Sequence, residues 1–159
     1  MPTANQLVKN PASGFANSCS RIWQNTADNT MENKTKYVFH LPCYMILGGK
    51  RISLTLNWYR NAHYMLLNKT KRAYFPTKIA PFKAKKIHVD YTLHLSPSRK
   101  TDFMNWVTVA DKYFLDWLVG IGFLPDDNCA NYGSMSASVI IDKALEESYI
   151  VAEVTVLTV

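Results

Sequence analysis

The 159-residue chain carries 18 Lys and Arg residues against 12 Asp and Glu, a net charge of +6. This length fits one domain with a sizeable core, and the composition, with no apolar run near the roughly 20 residues of a membrane span, excludes a disordered or membrane-spanning protein. Three widely spaced cysteines argue against a disulfide framework, so we expect a cytoplasmic protein whose basic charge favours nucleic acid or another anionic surface.

The N-terminal part of the chain divides into a polar segment and the beginning of a sheet. Residues 1–35 are rich in Asn, Ser, Thr and Ala, which predicts a flexible or loosely docked leader before a single domain over 36–159. The apolar run 37–47 predicts a strand in which Pro42 requires a bulge or an edge position. Alternation over 51–56 predicts the return strand of a hairpin.

Two helices and three more strands follow. We expect a helix over 57–74 capped by Asn57, then a half-buried strand over 86–95, where apolar and polar residues alternate. Apolar spacing predicts a second helix over 103–119. Two β-rich segments, 131–142 and 148–158, complete the sheet. The order of elements predicts an α/β (α+β) fold, with a mixed β-sheet packed against two main helices.

Charge is segregated along the chain. Twelve Lys and Arg residues lie between Lys50 and Lys100, where the only acid is Asp90. Five aspartates and one lysine then fall between Asp102 and Asp127. A basic surface beside carboxylates suits a polyanionic substrate that is cut with the help of a divalent metal ion.

The predicted second helix carries the first group of candidate residues. Asn105, Lys112 and Asp116 are seven and four residues apart, so they share one helix face. Asp102 precedes the first turn, where free backbone amides favour a carboxylate. Ordinary structural roles compete with this interpretation, since Asp102 suits a helix cap and Lys112 with Asp116 suits a solvated ion pair.

A turn after this helix carries the second group. Asp126 and Asp127 are adjacent acids, which often serve only the turn and solubility. If the turn folds back beside the helix start, Asp127 meets Asp102. Carboxylates held that close repel each other unless a cation lies between them, and hard oxygen ligands suit Mg²⁺, with Mn²⁺ as a substitute. Lys112 would then neutralise charge on the phosphate.

Several segments together resemble a known family. The run 98–105 (SRKTDFMN), then 111–118 (DKYFLDWL), then 122–127 (GFLPDD), is similar to the signature of the RusA-like Holliday junction resolvases. Residues 56–64 (LNWYRNAHY) resemble the Asn-, Tyr- and Arg-rich segment of the same family. The resemblance covers roughly residues 51–157, in the same order and at compatible spacing.

The resemblance implies a Mg²⁺-dependent, structure-selective endonuclease. Such a homodimer, often encoded by a phage and acting in the bacterial host's cytoplasm, nicks opposed strands of a four-way DNA junction. The family pattern assigns catalytic roles to Asp102, Lys112 and Asp127, with Asp102 and Asp127 also binding metal. Asp126, beside Asp127, is a further candidate ligand.

Two departures from the family pattern leave an alternative open. Met104 stands where a second carboxylate is expected, and the spacing from Asn105 to Lys112 is four residues longer than usual. Asp111 or Asn105 is the candidate replacement ligand. The alternative is a catalytically weakened or inactive protein that binds DNA junctions on the same scaffold.

The basic region supplies candidate DNA contacts. Phosphate contacts position a protein on DNA without reading sequence, while aromatic and histidine rings stack on bases. A solvated basic face is the competing interpretation. The candidate DNA-binding residues are Arg60, Lys69, Lys71, Arg72, Arg99, Lys100, Tyr59 and His63.

Overall fold

The structure is a computed structural model and describes residues 35–74, 83–96 and 101–157. The leader expected over 1–35 therefore lies outside the described residues except for Thr35. Two candidate phosphate-binding residues, Arg99 and Lys100, also lie outside them. No helix in the described part of the chain is long and apolar enough to cross a membrane.

The described residues form six strands and three helices, and the mixed α+β class expected from the sequence is confirmed. The strands are β1 (Lys36–Pro42), β2 (Tyr44–Leu47), β3 (Lys50–Ser53), β4 (Lys86–Leu95), β5 (Tyr132–Ile141) and β6 (Tyr149–Leu157). The helices are α1 (Leu56–Asn61), α2 (Tyr64–Tyr74) and α3 (Met104–Gly120).

Four strands form one mixed sheet in the order β1-β6-β4-β5. The alternation predicted for β4 is present, because every second residue from Ile87 to Leu95 is buried and those between are half-buried. β6 runs antiparallel to β1 and β4, whereas β5 runs parallel to β4. A parallel neighbour requires a crossover, and α3 supplies it between β4 and β5.

Helix α3 packs on the buried face of the sheet and runs back from the end of β4 toward its beginning. Phe114, which is fully buried, contacts the ring of Phe39 in β1 at 5.0 Å and that of Tyr91 in β4 at 6.4 Å. After α3, the carbonyl of Phe123 accepts a hydrogen bond from the amide of Ala84, just before β4. Because 17 residues of helix span about 25 Å, α3 begins toward the other end of the sheet.

Two predicted elements are each divided in the structure. The strand expected over 37–47 ends at Pro42, which has no amide proton to continue a ladder, and β1 is an edge strand as the proline required. The segment after Cys43 pairs with β3 as a separate hairpin.

The helix expected over 57–74 is interrupted where Ala62 adopts an extended backbone, with φ −76° and ψ 140°. Its cap is Thr55 rather than Asn57, since the Thr55 hydroxyl accepts a hydrogen bond from the amide of Trp58 at 3.3 Å. Threonine and asparagine are both good caps, so the sequence alone did not choose between them.

The outer edge of β5 is open among the described residues, where β5 pairs only with β4. The segment 132–141 (YGSMSASVII) contains no proline and no charged residue. Four of the nine exposed large apolar side chains among the described residues lie on it: Met135, Val139, Ile140 and Ile141. Long apolar edges without charge or proline are templates for pairing with another strand.

Candidate acidic site on helix α3

A half-buried carboxylate in the middle of α3 is the centre of the candidate site. Oδ1 of Asp111 accepts two hydrogen bonds of 2.7 Å, one from the hydroxyl of Tyr91 in β4 and one from that of Tyr132 in β5. The three side chains tie α3 to two neighbouring parallel strands. One oxygen of Asp111 is therefore held by phenols, and the orientation of the carboxylate is fixed.

Burial raises the pKa of Asp111 above its ordinary value, because desolvation disfavours the charged form. The hydrogen bonds from Tyr132 and Tyr91 and the positive charge of Lys112 lower this pKa but do not overcome the effect of burial. The negative charge of Asp127 raises it further. Burial likewise raises the pKa of Tyr91 and Tyr132, so both phenols remain protonated donors at neutral pH.

The two acids of the turn after α3 have different surroundings. Asp126 accepts a hydrogen bond from the amide of Asp127 at 2.9 Å and another from the side-chain nitrogen of Asn128 at 2.7 Å. Its carboxylate therefore organises the turn, as adjacent acids commonly do. Asp127 is exposed and acts electrostatically on Asp111.

The other two predicted ligands, Asp102 and Asn105, lie at the start of α3. Oδ1 of Asp102 accepts a hydrogen bond from the amide of Met104 at 3.0 Å. In this structure Asp102 therefore makes the kind of contact expected of a helix cap. Asn105 is half-buried one turn further on. Nine residues separate Asp102 from Asp111, about 13 Å along the helix axis.

The structure therefore places Asp127 within electrostatic range of Asp111 and leaves Asp102 well separated from Asp111 along the helix. Within residues 35–74, 83–96 and 101–157, no group of three or more His, Cys, Asp or Glu side chains is placed to hold a metal ion. The expected Mg²⁺ ligands do not fit one ion within a single chain.

Lys112 and Asp116 do not form the ion pair that their spacing suggested. Lys112 is exposed, and Asp116 instead forms a salt bridge with Lys71 of α2. Because Lys71 reaches α3, this cation serves the contact between two helices as well as being a candidate DNA contact.

The other candidate DNA-binding residues that the structure describes are exposed, with the exception of Tyr59. Arg60, Lys69 and Arg72 are exposed on α1 and α2, as is His63 between them. Tyr59 is half-buried, and its ring lies 6.1 Å from that of Tyr113 in α3. Tyr59, a candidate for stacking on bases, therefore packs against α3 in this structure.

Tyr91 and Tyr132 are the residues of the site that sequence reasoning did not assign to it. Tyr91 was placed on the buried face of β4, and a buried phenol usually requires a polar partner. That signal was present in the sequence. The choice of Asp111 as the partner depends on the crossing of α3 over β4 and β5, which local periodicity does not give.

No family model matches the chain, and no curated protein matches its sequence. Among solved structures, one match is the crystal structure of the hydrogenase maturation protein HypE in complex with ATP, with 12% identity and a TM-score of 0.32. The match covers 94% of this chain and 36% of that chain, so this chain spans about a third of the length of the matched protein. A TM-score this low supports no conclusion about fold or function.

Proposed function

We propose that the protein is a Mg²⁺-dependent endonuclease that nicks branched DNA, with the four-way junction as its substrate, and that it acts as a homodimer in the cytoplasm of a bacterial host. One observation carries the proposal: Asp127, from the turn after α3, lies within electrostatic range of Asp111, the sequence neighbour of Lys112. Residues from two segments that resemble the resolvase signature thus share one surface region. A half-buried acid, an exposed acid and a lysine form a suitable set for phosphodiester chemistry.

A basic surface on α1 and α2 supports DNA as the partner. Residues 56–74 contain four cations and no acid. All four of these cations, Arg60, Lys69, Lys71 and Arg72, are exposed, and Lys71 also forms a salt bridge with Asp116. A region of one charge sign on the surface attracts a polyanion and gives binding that weakens with salt.

A second copy of the chain would supply the second carboxylate that a single chain lacks at the start of α3. β5 is an uncharged apolar edge, so two copies can pair their β5 strands without bringing like charges together. A two-fold axis makes such a pair antiparallel and joins two four-stranded sheets into one.

The antiparallel pairing determines which acids of the two subunits approach each other. The turn with Asp127 precedes β5, whereas Asp102 and the start of α3 lie toward the end of the sheet where β5 finishes. Pairing the two edges in opposite directions therefore directs the turn of one subunit toward the α3 start of the other. Two such regions arise per dimer, which suits paired nicks in opposed strands.

The test is a nicking assay on a synthetic four-way junction with Mg²⁺. We expect symmetric nicks from the wild type and loss of nicking in Asp102→Asn, with junction binding retained. Glu146→Gln is a matched control, because Glu146 is an exposed acid in the segment between β5 and β6 and belongs to none of the candidate sets. Absence of nicks from the wild type, or equal cutting by Asp102→Asn, would refute the proposal.

A non-cleaving junction-binding protein is the second candidate. The observation that favours it is Met104, whose side chain is 39% exposed at the position where a carboxylate is expected. Methionine offers no ligand for a hard cation. This candidate predicts junction binding with no strand cut and no Mg²⁺ uptake in calorimetry.

A further inference from the structure

The beginning of α2 exposes two adjacent apolar side chains that the core does not use. Tyr64 and Met65 are 66% and 63% exposed. The opposite face of the helix is fixed, because the hydroxyl of Thr70 hydrogen-bonds to that of Tyr113 in α3 at 2.8 Å. The two exposed side chains therefore project from a helix that is anchored behind them.

The tip formed by Tyr64 and Met65 is held in place by its neighbour His63. The ring of His63 lies 4.5 Å from that of Tyr64, with the planes tilted by 40°. Nδ1 of His63 accepts a hydrogen bond from the amide of Met65 at 3.3 Å. A ring that is restrained before binding loses less conformational entropy when it stacks on a ligand.

Cations follow the tip along the same exposed face of α2. Met65, Lys69 and Arg72 are spaced i, i+4 and i+7, and all three are exposed. The two cations lie about 6 and 10 Å further along the helix axis than Met65. Lys71 points to another partner, Asp116 of α3.

This combination of groups identifies the chemistry of the partner. Aromatic and methionine side chains stack on or wedge between bases, and cations contact the adjoining backbone. The absence of any acid over 56–74 disfavours a basic or mixed-charge protein surface and favours a polyanion. A DNA branch point is such a ligand, since its bases are more easily unstacked than those of a continuous duplex.

We infer that Tyr64, supported by Met65, enters DNA at the branch point and stacks on an unpaired base, while Lys69 and Arg72 contact the adjoining phosphates. The inference rests on the proposed function for the identity of the branched ligand. It assigns the stacking role to Tyr64 in place of Tyr59, which packs against α3.

The experiment measures binding of the full chain, in EDTA, to a four-way junction and to a duplex of the same sequence, so that cleavage plays no part. A 2-aminopurine at the branch point reports local unstacking. Loss of base stacking weakens binding by roughly tenfold or more, so Tyr64→Ala with Met65→Ala should bind the junction about tenfold more weakly and abolish the fluorescence change. Tyr64→Trp should retain both.

Ile46→Ala is the matched control, because Ile46 is 69% exposed on the β2–β3 hairpin. It should bind like the wild type. Circular dichroism of each variant shows that the fold is kept.

Each outcome has a distinct meaning. If the wild type binds or nicks the junction and the Tyr64→Ala, Met65→Ala protein behaves identically, the inference is wrong and the proposed function stands. An equal loss of affinity for junction and duplex also refutes insertion at the branch point. If the wild type binds no DNA, both the inference and the proposed function fail.

Discussion

The hydroxyl of Tyr132 donates a 2.7 Å hydrogen bond to Oδ1 of Asp111, which joins the start of β5 to the middle of α3. Tyr91 of β4 donates to the same oxygen. Both phenols bond to Oδ1, and the charges of Lys112 and Asp127 act on the same carboxyl group. The strands thus determine how this carboxylate is presented.

The raised pKa of Asp111 predicts a pH-dependent stability. Because the folded state holds this proton more tightly than the unfolded state, the stability it contributes is present at low pH and is lost as pH rises through the folded pKa. Asp111→Asn keeps an oxygen for both tyrosines and removes the buried charge. We expect this variant to be more stable than the wild type at pH 7, with the difference vanishing near pH 3.

Urea unfolding at several pH values measures this effect. Glu146→Gln, which removes an exposed acid, should show no comparable change. A wild type that is more stable than Asp111→Asn at pH 7 would contradict the prediction. Greater stability of the variant together with reduced nicking would indicate that the charge is retained for function.

Substitution of the two adjacent acids of the turn should affect nicking and stability differently. Removing even an outer partner of a metal ligand costs about 10- to 100-fold, so we expect Asp127→Asn to reduce junction nicking by about a hundredfold or more without loss of stability. Asp126→Asn disturbs hydrogen bonds within the turn and should cost about 1 kcal/mol of unfolding free energy. Its nicking should fall less than tenfold. Equal loss of nicking in the two variants would show that Asp126 acts in the site as well.

Local patterns predicted the elements of this fold well and their long-range contacts poorly. Alternation identified β4, and Gly122 marks the stop after α3, with φ +76° in the region that favours glycine. The break at Ala62 was missed, since no proline or glycine interrupts residues 57–74 and a helical pattern continues through it. At the break, His63 starts α2: its ring nitrogen accepts a hydrogen bond from the amide of Met65, and its carbonyl accepts one from the amide of Leu67.

The candidate site was only partly predictable for the same reason. Asp127 and Asp111 were both identified from the sequence, but the turn was expected beside Asp102. The direction of α3 determines the outcome: the turn forms only after the 17 residues of the helix have carried the chain about 25 Å from the helix start, back toward the beginning of β4. Spacing within a helix cannot reveal where the following loop returns.

Lys69 and Lys71 should differ in DNA binding although they are two residues apart. Each phosphate contact contributes about 0.9 to the slope of log affinity against log salt concentration. Lys69 is exposed on the face with Arg72, whereas Lys71 pairs with Asp116. We therefore expect Lys69→Met to lower the slope by about 0.9 and Lys71→Met to change it less. Filter binding of junction DNA between 50 and 200 mM salt makes the comparison, and an equal change in slope would contradict it.

The contact between α2 and α3 should depend on one buried hydroxyl. Thr70 is fully buried and bonds to the hydroxyl of Tyr113 and to the carbonyls of Leu66 and Leu67. Thr70→Val keeps the shape and leaves the Tyr113 hydroxyl without this partner, so it should cost about 1–3 kcal/mol in urea unfolding. Thr108→Val, at an exposed position of α3, should cost less than about 0.5 kcal/mol. Equal effects of the two substitutions would show that the buried bond contributes nothing.

The open edge of β5 should determine the oligomeric state. Val139 is 44% exposed on this edge, so Val139→Glu should leave the monomer folded and place like charges close together in a β5 pair. We expect sedimentation to show a dimer for the wild type and a monomer for this variant, with Ile46→Glu on the hairpin as the control that stays dimeric. A monomeric wild type, or a variant that remains dimeric, would exclude pairing through β5.

Mixed dimers test whether each site uses both subunits. If Asp102 of one subunit acts with Asp127 of the other, a dimer of Asp102→Asn and Asp127→Asn subunits contains one region with both acids intact and one with neither. Mixing the two inactive variants should then restore nicking of one strand per junction. If both acids act within one subunit, every site in the mixture lacks one of them and no activity returns. Cross-linked heterodimers, confirmed by mass, exclude failure of subunit exchange as the cause of a negative result.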